Sequence, residues 1–157
     1  MTGVVGGAPL EERQALYELV LRYAQGADRR DYAGVGALFA PDGRIAGYRG
    51  DPDRAEPLYS LEGRAAIVEG LRGLERFEKT FHLVGNHRVE MGDSEASGET
   101  YCTAHHIHRV DSEPWDRTMA IRYQDRFTRE PSGWFFAERL LVIDWERETS
   151  LGPGGWA

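Results

Sequence analysis

A chain of 157 residues, 41% hydrophobic and 29% charged, is the length of one domain with a single buried core, and this composition argues against wholesale disorder. Its net charge of −7 is spread along the sequence with no run of Lys and Arg, which argues against nucleic acid as a partner. A single cysteine, Cys102, allows no intrachain disulfide, no stretch approaches the ~20 apolar residues that span a bilayer, and residues 1–10 lack a signal-peptide pattern, so the expectation is a cytoplasmic protein without a membrane partner.

Pro9 opens a helical pattern with Glu11 and Glu12 in its first turn, where carboxylates favour the helix dipole. Leu16, Leu19, Val20, Tyr23 and Ala27 then recur as one apolar helix face. Asp31 is the expected N-cap of a second helix that carries Tyr32, Val35, Leu38 and Phe39. Pro41-Asp42-Gly43 is expected to end it and turn into a short strand over 44–48. Residues 49–60 read as a surface loop, and Ile67, Leu71 and Leu74 mark a third helix over 61–77.

The period then changes. Segments 81–91, 97–110, 118–128 and 134–145 are rich in β-branched and aromatic residues and read as strands. Their separators are Gly92-Asp93-Ser94, residues 111–116 with Pro114, and Glu130-Pro131-Ser132-Gly133. Such connections are too short for helical crossovers, so the four strands are predicted to pair antiparallel. Strands about twice the usual length twist and curl, and a curled sheet closed at one end by helices forms a cone that can hold a ligand.

Five segments carry a family likeness: Leu19-Val-Leu-Arg-Tyr-Ala-Gln-Gly-Ala-Asp-Arg-Arg-Asp31, Leu38-Phe-Ala-Pro-Asp-Gly43, His82-Leu-Val-Gly-Asn86, Gly98-Glu-Thr-Tyr-Cys-Thr-Ala-His-His106 and Gly133-Trp-Phe-Phe-Ala-Glu-Arg139. In this order they resemble the SnoaL-like branch of the nuclear transport factor 2-like superfamily over residues 8–147, with 1–7 and 148–157 expected as flexible tails. The resemblance implies an α+β fold, a cone-shaped barrel with N-terminal helices packed on a long curved antiparallel or mixed β-sheet. It also implies a homodimer, a small hydrophobic ligand, and acid–base chemistry that needs no cofactor.

Within that superfamily the chain is similar to scytalone dehydratase and bile-acid 7α-dehydratase, which use a tyrosine and an aspartate of the first helix and histidines of the sheet. Tyr23, Asp28 and His82 stand at the matching places. The implied reaction is a dehydration or isomerisation of a hydrophobic carbonyl or hydroxylated compound such as a polyketide, steroid or terpenoid. A polyketide or terpenoid cyclase and a non-catalytic ligand-binding module are the alternatives, because this scaffold carries many chemistries.

Further residues are candidates for substrate contact. Strand alternation puts Asn86 on the side of His82 and turns His87 away. Either His105 or His106 faces the pocket, a register that sequence leaves open. Tyr48 is either core or a pocket hydroxyl. Arg139, in a long strand, needs a carboxylate partner if buried, and otherwise would anchor an anionic group. His106-Ile-His108 with Glu113 loosely resembles a cupin metal site, but the helical first half does not suit a cupin, and no metal is expected.

Overall fold

The structure, a computed structural model, describes residues 9–153. The amphipathic pattern becomes helix α1, Leu10–Asp28, whose buried face is Leu16, Leu19, Val20, Tyr23, Ala24 and Ala27. Asp31 caps α2, Tyr32–Gly36, by accepting a hydrogen bond from the Gly34 amide at 2.9 Å. Strand β1 follows over Phe39–Arg49, then β2 over Tyr59–Glu62 and α3 over Arg64–Leu71, which continues as a 3-10 turn over Arg72–Arg76. Four long strands complete the fold: β3, Lys79–Met91; β4, Glu95–Val110; β5, Glu113–Glu130; and β6, Gly133–Ser150.

The six strands form one open, mixed sheet in the order β2-β1-β6-β5-β4-β3. The meander from β3 to β6 is antiparallel, as the short connections require, and β1 joins it parallel to β6. The α+β architecture and its cone-like curvature therefore match the expectation, with the barrel left unclosed. Among the described residues no helix is long and apolar enough to cross a membrane.

Several boundaries differ from the sequence expectation, each for a tertiary reason. The second helix stops at Gly36 because Phe39 pairs with Phe136 in the sheet, an interaction local propensity cannot anticipate. Pro41-Asp42-Gly43 does not break the chain into separate elements but sits in a register shift inside β1. The third helix starts at Arg64, because residues 59–62 are strand β2, and helical hydrogen bonding tightens at Arg72 beside Gly70 and Gly73.

The turn over 111–116 contracts to Asp111-Ser112, both at positive φ (48° and 70°), the backbone that suits a two-residue hairpin between twisted strands. Pro114 consequently lies near the start of β5, where proline is tolerated. Residues 148–150, expected in a flexible tail, pair with Trp115, Asp116 and Arg117 of β5. The other expected tail, 1–7, lies outside the described residues.

Candidate active site

The site begins where α1 meets β3. Asp28 is the last residue of α1, directly after the apolar face, and Arg30 turns the chain at φ 61°. The Arg30 guanidinium donates to the Ala27 carbonyl (3.3 Å), the Thr80 hydroxyl (3.1 Å) and the Phe77 carbonyl (3.1 Å). That clamp holds the end of the helix against the first residues of β3.

Asp28 and His82 therefore meet although 54 residues separate them. His82 Nδ1 lies 2.6 Å from Asp28 Oδ1, the His82 amide donates to Oδ2 at 2.9 Å, and the Thr80 hydroxyl donates to Oδ1 at 2.9 Å. Burial opposes the Asp28 charge, but the hydrogen bonds from the His82 ring and amide outweigh it, with help from Thr80, and hold the carboxyl below its ordinary range. An ionised Asp28 selects the tautomer with the proton on Nδ1, leaving Nε2 with its lone pair. The His82 side chain, only 7% exposed, presents its ring to a cavity of about 420 Å³.

The cavity wall is mainly apolar, with Ile45, Leu71, Met119, Ile121, Leu141 and Ile143 among its residues. Tyr23 reaches it from the middle of α1, and no described group hydrogen-bonds its hydroxyl. Burial drives the Tyr23 phenol strongly upward, so it remains a donor. Its ring packs edge-on against Phe39, Tyr123 and Phe136, and the Arg139 guanidinium lies 4.3 Å from its centroid.

His106 resolves the ambiguity in β4. It lines the cavity with its ring centroid 5.4 Å from that of His82 at an angle of 89°, while His105 lies on the opposite sheet face and binds Asp116 at 2.7 Å. His106 is 3% exposed and its Nδ1 has no partner. Burial, followed by the nearby His82, lowers it to about 4, so it is neutral near pH 7 and adds no charge beside the dyad.

Three other candidates fall outside the cavity. Asn86 sits at φ 49° in a bulge between Gly85 and Arg88; the extra residue reverses the alternation, exposes Asn86 and turns His87 inward against Tyr17 at 4.7 Å. Tyr48 is buried on the other face of β1, where its hydroxyl accepts from Arg44 at 3.2 Å, because Ile45, Gly47 and Arg49 take the cavity side. Arg139 is sealed beneath Tyr23 in a bidentate pair with Asp125, both contacts at 2.8 Å and both side chains 0% exposed. It fills the ion-pair alternative and does not line the cavity.

Sequence reasoning did not single out Tyr59. Although 42% exposed overall, it lines the cavity, and burial pushes its phenol up to about 12. Its ring packs against Gly47, where a Cβ would stand 2.4 Å from Tyr59 Cε1, so glycine is needed there for close approach. A lone tyrosine in a loop-like segment offers no periodic signal. Thr80, whose hydroxyl supports Asp28, gave no periodic signal either. Among the described residues no group of three His, Cys, Asp or Glu side chains is arranged to hold a metal ion.

A family model described as a SnoaL-like domain matches residues 8–140. A search of curated proteins finds no match. Among solved structures, the chain is similar to a candidate scytalone dehydratase from Novosphingobium aromaticivorans DSM 12444, with 24% identity over 94% of this chain and 96% of that one, at a TM-score of 0.74. It is also similar to LinA, with 16% identity, 94% and 95% coverage and a TM-score of 0.77. The hexachlorocyclohexane dehydrochlorinase LinA-type3 from Novosphingobium barchaimii LL02 has 14% identity, 94% and 95% coverage and a TM-score of 0.75. At these identities the likeness establishes the shared fold.

Proposed function

The chain belongs to the SnoaL-like domain family of the nuclear transport factor 2-like superfamily, and from that premise we propose that it is a small-molecule lyase or isomerase whose base is His82, oriented by Asp28. The observation that carries this reading is the 2.6 Å contact between Asp28 and His82 Nδ1 at the wall of a largely apolar cavity. Nε2 removes a proton from carbon adjacent to a carbonyl or to a carbon bearing a leaving group. The resulting imidazolium is stabilised by Asp28, and the electron pair moves either toward the carbonyl oxygen or into a new C=C bond as the leaving group departs. Tyr23 and Tyr59 stay protonated and donate hydrogen bonds to the developing negative oxygen or to the leaving group, a role that strengthens in a dry cavity.

The same proton abstraction serves a dehydration, an isomerisation or a dehydrohalogenation; the structural relatives carry the names of a dehydratase and a dehydrochlorinase. The substrate class is a hydrophobic carbonyl or hydroxylated compound such as a polyketide, steroid or terpenoid, and the alternative products are those of cyclisation.

The test is carbon–hydrogen exchange. With 2-tetralone in D₂O, NMR should show α-proton exchange accelerated by about 10²–10⁴-fold over buffer, and His82→Ala should remove the acceleration while circular dichroism stays native. Equal exchange by His82→Ala would reject His82 as the base, and ligand binding without exchange in the parent protein would favour a binding module.

The proposed assembly is a homodimer. Phe81, Leu83, Tyr101 and Trp145 stand exposed on the sheet face opposite the cavity, an apolar area that a second copy would cover. A monomer mass by sedimentation at micromolar concentration would contradict it.

A further inference from the structure

The rim of the cavity is made by three arginines from three elements: Arg49 at the end of β1, Arg76 in the 3-10 turn and Arg117 near the start of β5. Among the described residues the cavity lining contains no Asp or Glu. Two carboxylates stand behind it: Asp28, on His82, and Glu146, which binds Arg49 at 2.5 Å through one oxygen and Arg117 at 2.8 Å through the other. Arg76 has no carboxylate partner among the described residues, and its guanidinium rests 4.8 Å from the Phe77 ring centroid. The guanidinium charges of Arg76 and Arg117 both disfavour a proton on His106, although the Arg117 backbone favours one, which places the two charges near one side of the cavity.

This is a local excess of positive charge in a chain of net charge −7. A guanidinium presents a planar fork of donors matched to anionic oxygens, and only an anion would neutralise the unpaired one. Resting on these charges and on the cavity reading above, we propose that the substrate is an apolar molecule bearing an anionic oxygen group, carboxylate or phosphate, held at the rim by Arg76 and Arg117. The inner wall of Ile45, Met119, Ile121 and Leu141 cannot solvate such a group, so the charge stays outside and the apolar body enters first. Binding then has one orientation, which sets the carbon presented to His82.

The experiment compares three probes of one shape, 2-naphthoate, 2-naphthyl phosphate and neutral 2-naphthamide, by isothermal titration calorimetry. At least one anion should bind about tenfold more tightly than the amide, with the advantage shrinking as salt rises. The tighter anion identifies carboxylate or phosphate as the recognised group. Arg76→Gln should erase the advantage and leave amide binding unchanged, while Arg76→Lys should restore part of it. Arg76 is exposed and carries only the ring contact, so the variant should fold as the parent does. Equal affinity for all three probes, absence of binding by any of them, or an anion preference that survives Arg76→Gln would overturn the proposal. His82→Ala keeps the preference if the rim reading is right, so failure of the proposed chemistry and failure of the anion site remain distinguishable.

Discussion

Replacing Asp125 by asparagine isolates one charge in the core. The side chains of Arg139 and Asp125 are both 0% exposed, joined by two contacts of 2.8 Å, and enclosed by Tyr23, Tyr123 and Phe136, whose ring centroids lie 4.2–4.3 Å from the guanidinium carbon. Burial works against the Arg139 charge, and the Asp125 carboxylate outweighs it and keeps the guanidinium protonated. Arg139 Nη1 already lacks a hydrogen-bond partner, so the site has no spare acceptor to compensate. Removing one member of such a pair costs about 3–5 kcal/mol. At about 2–4 °C per kcal/mol for a domain of this length, Asp125→Asn should lower Tm by roughly 10 °C.

The pH dependence distinguishes the two single variants. In Arg139→Met the orphan is a carboxyl that burial pushes upward, so its folded pKa exceeds the unfolded value. Its neutral form is tolerated, and the deficit relative to the parent should shrink as pH falls from 7 toward 5. In Asp125→Asn the orphan is a guanidinium that does not titrate, and the deficit should stay constant. The double variant Asp125→Leu/Arg139→Met, apolar throughout, should recover most of the loss. Calorimetric Tm and urea unfolding at pH 5 and 7 measure all three. A Tm drop below about 3 °C for Asp125→Asn, under the 3–5 kcal/mol range, or parallel pH profiles for the two single variants, would refute the reasoning.

On a verified substrate, Asp28→Asn should reduce kcat less than His82→Ala, because it removes the orienting charge and leaves the base; steady-state kinetics of both variants decide this. Tyr23→Phe should lower kcat more than it weakens substrate binding if the hydroxyl acts mainly in the transition state, which single-turnover and binding measurements separate. Gly47→Ala should push the Tyr59 ring off β1 and reproduce the kinetic loss of Tyr59→Phe without unfolding, as read by kcat beside circular dichroism. His106 is lowered from 6.5 to about 4, so its stabilising contribution is complete above pH 6.5 and is lost as pH falls toward 4. For a histidine this buried the loss reaches roughly 3 kcal/mol, and His106→Gln should reduce the slope of urea stability against pH in that window, leaving the share of His87, which burial likewise lowers to about 4. Asp28, lowered from 3.8, loses its contribution only below that window.

Periodicity carried much of the fold. The apolar face of α1 from Leu16 to Ala27 lies where its spacing implies, and the four long strands with brief turns pair as their connections require. These features are local, since each residue's face follows from its neighbours and from a period of 3.6 or 2. The juxtaposition of Asp28 and His82 was legible through family resemblance, while their roles rest with the experiments above.

Other features depend on contacts that no local pattern encodes. One extra residue at Asn86 reverses the face of every residue after it in β3, so His87 and not Asn86 turns inward. The parallel pairing of β1 with β6 decides that Phe39 is strand, and that Tyr48 faces away from the cavity while Gly47 faces into it. Among β4 histidines, parity alone allowed either His105 or His106; closure by Phe77, 4.8 Å from the His106 ring, accompanies the one that is enclosed. Arg49, Arg76 and Arg117 are unremarkable in sequence, dispersed among 26 acids, and only folding gathers them at one rim. The chain by itself determined which segments are amphipathic and that the last four strands pair as an antiparallel meander; the tertiary structure decided where β1 and β2 join the sheet and which polar groups share the cavity, because that depends on bulges, parallel crossover and close approach between residues far apart in sequence.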